Sequence, residues 1–148
     1  MGWFKCNTDG ASRGNLEMSS AAFCIRNERG DLMYAATRTL NDTTNICAEA
    51  IALGDRIEYC VTHQFLPVIM ETDSLALLNI IRNIWSIPWN IRMEIRRIHY
   101  WSNKGQVQFA HILREGNELP SDAKKILNMD KTLMPSFRYK VYKCREPD

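Results

Sequence analysis

A chain of 148 residues, 45% apolar and 24% charged, is long enough to bury a core of its own and fits one domain. Its formal net charge of +2 neither marks a polyanion binder nor excludes one, because binding depends on where the charge sits. Five cysteines (Cys6, Cys24, Cys47, Cys60, Cys144) without a CxxC pair argue against a zinc ribbon or a disulfide framework and for a reduced setting.

The opening MGWFKCNTDG holds no apolar h-region, and no apolar run approaches a membrane span. An intracellular protein, nuclear or cytoplasmic, with no membrane partner is expected. Residues 3–9, WFKCNTD, alternate as a strand with Phe4, Cys6 and Thr8 on one side and Trp3, Lys5, Asn7 and Asp9 on the other. The turn GASRGN leads to a second strand near 20–27, and Arg29-Gly30-Asp31 marks a hairpin into a third, 32–39. Three strands on short turns predict an antiparallel meander.

The period then changes. Ala50, Leu53, Ile57, Cys60 and Val61 share one face of a helix over 45–63. The apolar run 67–72 reads as a buried strand, Asp73-Ser74 opens a helical stretch to about residue 83, and a further helix covers 89–102. A strand at 106–112 and a helix to about residue 128 complete the order βββαβααβα. Residues 1–128 are thus expected to form one domain, with 129–148 a basic C-terminal tail or a weak extra element.

Three carboxylates stand at comparable places in this order. Asp9 ends the first strand, Glu49 lies in the first turn or two of the long helix, and Asp73 ends the fourth strand. A meander followed by a helix and a parallel strand brings strand ends and a helix start to one rim. Carboxylates so clustered repel unless a cation neutralises them, and hard oxygen donors suit Mg²⁺ or Mn²⁺. Taken singly, Asp73 also reads as a helix cap, Glu49 as a partner of the helix dipole and Asp9-Gly10 as a plain turn.

NTDGASRGN (7–15), TTNICAEAIAL (43–53), ETDSLALL (71–78) and HILREGN (111–117), in this order and spacing, resemble the type 1 ribonuclease H family, in the divergent form found in plant retroelements. The resemblance covers roughly residues 3–128. It implies an α/β ribonuclease H-like fold, a five-stranded mixed sheet of meander plus parallel strands with helices on both faces. It further implies Mg²⁺-dependent cutting of the RNA strand of an RNA–DNA hybrid with two ions, leaving a 5′-phosphate and a 3′-hydroxyl, by a domain expected to be a monomer or part of a larger polyprotein.

Asp9, Glu49 and Asp73 match the family's metal-binding carboxylates, and His111 matches a histidine associated with proton movement or product release. Asn15, Thr44 and Asn45 match residues that grip the hybrid, and Arg26 stands where a basic residue of the family meets a phosphate. Without the resemblance, Thr44 and Asn45 read as helix caps and His111 as a strand-end histidine bonded to backbone.

The chain departs from the family in two places. Leu16-Glu17-Met18-Ser19-Ser20 replaces a glycine-rich turn that lets backbone approach nucleic acid, and Ile46 replaces a second asparagine. The altered turn, with the disturbed last motif, motivates an alternative: a catalytically weak or inactive ribonuclease-H-like nucleic-acid-binding domain, a retroelement remnant.

The fourth metal ligand has two placements. If Pro120 opens the last helix, Asp122 falls in its first turn and reaches the metal site. If the family's register holds, Ser121 takes the position, since one residue rotates a helical side chain by about 100°. Proline's tolerance of only the first turn favours Asp122. A stripe of Arg92, Arg96, His99 and Asn103, flanked by Trp89 and Trp101, reads either as a phosphate-tracking face or as the solvated face of its helix.

Overall fold

The structure is a computed structural model, and it describes residues 2–9, 19–40, 45–113 and 139–143. The alternating opening stretch forms β1 (Phe4–Asp9), which pairs antiparallel with β2 (Ser19–Arg26) from Lys5↔Arg26 to Asp9↔Ala22. β2 continues antiparallel to β3 (Leu32–Leu40) through the expected hairpin. Asn27 builds that turn, because its Oδ1 accepts from the backbone N–H groups of Arg29 (3.0 Å) and Asp31 (2.9 Å). Gly30 sits there at φ +82°, a conformation that a side chain would strain.

The switch to a 3.6-residue period gives α1 (Asn45–Thr62). The run after Pro67 becomes β4 (Val68–Thr72), parallel to β1, with Val68, Met70 and Thr72 buried in alternation. Next come α2 (Leu75–Ile81), a 3₁₀ turn at Trp89–Ile91, α3 (Arg92–Ser102) and β5 (Val107–His111), which lies parallel to β4. Each boundary falls within about two residues of the expectation.

One core holds these elements together. Cys6, Phe23, Ile25, Tyr34, Val68 and Met70 from one sheet face pack with Leu53 and Ile57 of α1, Leu77 and Ile80 of α2, and Ile91, Ile95 and Ile98 at the start and along the inner face of α3. Each large aliphatic side chain sealed there contributes about 1.5–3 kcal/mol. α1 and α3 are further clamped by Arg97, which donates to Asp55 Oδ1 at 2.6 Å and to Glu58 Oε2.

The sheet order is β5-β4-β1-β2-β3-β6. The first five strands are the expected mixed sheet. The sixth, β6 (Tyr139–Lys143), arises in the segment read as a tail and runs antiparallel to β3, from Tyr34↔Lys143 to Arg38↔Tyr139. Its physical reason is the open edge of β3, whose backbone donors and acceptors a sixth strand can satisfy. The helix expected to end near residue 128 lies outside the described residues. No described helix is long and apolar enough to cross a membrane.

Candidate active site

Strand direction decides where the acidic residues meet. β1, β4 and β5 are parallel neighbours, so their C-terminal ends share one rim of the sheet. Asn7 is level with Glu71, and two residues farther along each chain come Asp9, the last residue of β1, and Asp73. On the other side of β4, His111 is level with Thr72 and ends β5. Neighbouring strands lie about 4.8 Å apart. Carboxylates carried at about that spacing repel by about 1 kcal/mol in water and several times that near a protein surface.

α1 starts at the same rim. β3 runs in the direction of β1, and its last residue, Leu40, is level with Ser19 beyond the Asp9↔Ala22 pair. Five residues after Leu40 the helix begins, and Glu49 is the fifth residue of α1, half-buried. The first turn of α1 holds no acidic residue, and the dipole's influence fades within that turn, so the dipole gives little reason for a glutamate here.

Asp73 is half-buried between β4 and α2. The cap of α2 is Ser74, whose Oγ accepts from Leu77 N at 3.2 Å, while Ser74 N donates to Thr72 Oγ1. The capping explanation of Asp73 therefore passes to its neighbour. His111 is exposed, and its Nε2 lies 3.2 Å from the backbone carbonyl oxygen of Asp73, which ties β5's end to the β4–α2 turn.

The remaining candidates divide. Arg26 is level with Lys5, at the end of the sheet away from Asp9, and donates from Nη1 to Gly30 O at 2.7 Å, closing the hairpin. The structure does not bring it to the carboxylate rim. Asn45 is the first residue of α1, at that rim. Asn15, Thr44, Ser121 and Asp122 lie outside the described residues, as does the side chain of Asp9. Among the described residues no three His, Cys, Asp or Glu side chains form a group that could hold a metal ion.

The α3 stripe is also divided. Arg92, Arg96 and Asn103 are exposed, but His99 Nε2 sits 2.8 Å from Ile81 O and fastens α3 to α2. Trp89 is 85% exposed, whereas Trp101 packs against the core.

Sequence reasoning missed Arg56. This arginine of α1 is 3% exposed, its Nε donates to Ala52 O at 3.3 Å, and its Nη1 has no hydrogen-bond partner among the described residues. Burial pulls its pKa below the ordinary arginine value, while Cys6, Cys60, Cys24 and Glu49 act in the opposite direction. The available signal was its place seven residues after Glu49, two helical turns along one stripe.

The sequence profile of the family described as reverse transcriptase-like matches residues 7–125. An Arabidopsis thaliana protein named as a ribonuclease H protein is 27% identical over 120 residues, which cover 80% of this chain and 19% of that protein. The chain thus spans about a fifth of that relative's length. Ribonuclease H1 of the archaeon Halobacterium salinarum superposes with a TM-score of 0.72 at 21% identity, covering 86% of this chain and 99% of the other. A ribonuclease H1 crystallised with an RNA/DNA hybrid gives 0.69 at 22% identity, with 88% and 99% covered. A foamy viral protease-reverse transcriptase, also with a hybrid, gives 0.61 at 13%, with 84% of this chain and 20% of that one covered.

Proposed function

This chain belongs to the reverse transcriptase-like family of ribonuclease H domains, and we propose that it hydrolyses the RNA strand of RNA–DNA hybrids at internal phosphodiesters. The observation that carries this reading is the shared rim of β1, β4 and β5, ending in Asp9, Asp73 and His111, with α1 bringing Glu49 in from the β3 side.

The donor set fits a hard divalent cation: the half-buried carboxylates Glu49 and Asp73 at one rim with Asp9, while Ser74 serves as the N-cap of α2. Asp9, Glu49, Asp73 and Asp122 would hold Mg²⁺, with Mn²⁺ as a substitute. When bound, two such ions supply a nucleophilic water and neutralise charge on the phosphate, an effect of several kcal/mol. The carboxylates bind and orient; water adds to phosphorus, the 3′-oxygen leaves and gains a proton, and a 5′-phosphate remains. His111, exposed and bonded at Nε2 to the Asp73 carbonyl, would move that proton or ease product release. Asn15, Thr44 and Asn45 would grip the hybrid, and discrimination against duplex DNA would follow the 2′-hydroxyls.

The test is cleavage of an end-labelled hybrid with Mg²⁺ and with chelator. Cleavage that requires Mg²⁺ and falls at least about a hundredfold in Asp9→Asn and Asp73→Asn supports the reading. An intact hybrid at high protein concentration, beside a control nuclease that cuts it, overturns it. A second reading, hybrid binding without cleavage, is favoured by the sequence Leu16-Glu17-Met18-Ser19-Ser20, which carries a glutamate and no glycine where the family has a glycine-rich turn. Retention of the hybrid without product would select it.

A further inference from the structure

Among the described side chains of α1, Arg56 is the one polar group that the core encloses almost completely, at 3% exposure. A guanidinium keeps its charge in proteins, and enclosing it is costly unless the charge does something. Helical side chains lean toward the helix N-terminus, and the bond from Nε to Ala52 O, one turn back, draws this one the same way. That is the direction of Glu49, which lies on the same stripe and electrostatically favours the charged guanidinium. Nη1 is buried with no hydrogen-bond partner among the described residues.

Resting on the carboxylate reading above, we propose that Arg56 is a resident counter-charge beneath the carboxylate rim, a positioning residue that offsets part of the rim's negative charge and thereby weakens divalent-ion binding. A fixed positive charge about 10 Å from a dication opposes it by roughly fourfold in affinity at the dielectric of water, and by more than a hundredfold at an interior value.

The test is Mn²⁺ affinity of the whole chain, measured by water-proton relaxation without nucleic acid, for wild type, Arg56→Met, Arg56→Gln and Arg56→Lys. Tightening of at least about fourfold in Arg56→Met or Arg56→Gln, with Arg56→Lys within about twofold of wild type, is the expected result. Either neutral variant, folded by circular dichroism, binding no tighter than wild type overturns the inference, because a merely structural role predicts unchanged or weaker binding. Should Met fail to fold, Gln decides. Wild type that binds no Mn²⁺ at millimolar concentration overturns the carboxylate reading itself, a result distinct from equal binding by all four proteins.

Discussion

Replacing Arg97 by methionine keeps the aliphatic stem and removes the charge that joins α3 to α1. The two arms of that clamp differ in worth. The Asp55 side chain is 8% exposed, so its 2.6 Å bond to Nη1 is a charge-assisted one largely out of water, worth about 1.5–3 kcal/mol. Glu58 is 41% exposed and Arg97 itself 35%, and solvent screening leaves about 0.2–1 kcal/mol for that arm. Arg97→Met should therefore lose about 2–3 kcal/mol, and with it roughly 4–12 °C in melting temperature for a chain of this length. Urea unfolding followed by far-ultraviolet circular dichroism measures this, with the midpoint falling and the slope unchanged. A double-mutant cycle with Asp55→Asn isolates the arm and should return a coupling above about 1 kcal/mol. A loss below about 0.5 kcal/mol, or a coupling near zero, refutes the reasoning, since the clamp would then be only a surface contact.

Ser74→Ala removes the acceptor for Leu77 N and should cost about 1 kcal/mol in the same unfolding assay. His111→Ala, exposed and outside the core, should lower kcat on a labelled hybrid by about a hundredfold with KM little changed, which steady-state kinetics separates. Asp122→Asn should reduce Mg²⁺-dependent cleavage while Ser121→Ala leaves it intact; the opposite pattern assigns the fourth ligand to Ser121.

The elements with a strong period were legible. Phe4, Cys6 and Thr8 against Lys5, Asn7 and Asp9 already gave the inner and outer sides of β1, and Cys6 is in the core. Ala50, Leu53, Ile57 and Cys60 gave the buried face of α1. β6 was not legible, because Tyr139–Lys143 is dense in lysine and its only reason to be a strand is the unpaired edge of β3, more than a hundred residues earlier in the chain. Chain order alone already predicted that the C-terminal ends of β1 and β4 share one edge of the sheet, as their parallel pairing shows. The partner of each charge was not legible. Nothing local distinguishes Arg97, which pairs across to Asp55, from Arg96 beside it, which faces solvent. Arg56 reads as a surface residue until the sheet is laid against its helix. Arg26 shows the reverse limit: its place at a strand end suited a phosphate contact, but antiparallel pairing puts that end opposite Asp9.

The antiparallel docking of β6 fixes the pole at which the last described strand leaves the sheet. β1 enters at Phe4, level with the start of β4, and β6 leaves at Lys143, level with Tyr34 near the hairpin side of β3. Entry and exit therefore sit together on the pole of the sheet opposite the carboxylates. The proposed catalytic rim thus lies at the far pole of the sheet from both the start of β1 and the end of β6.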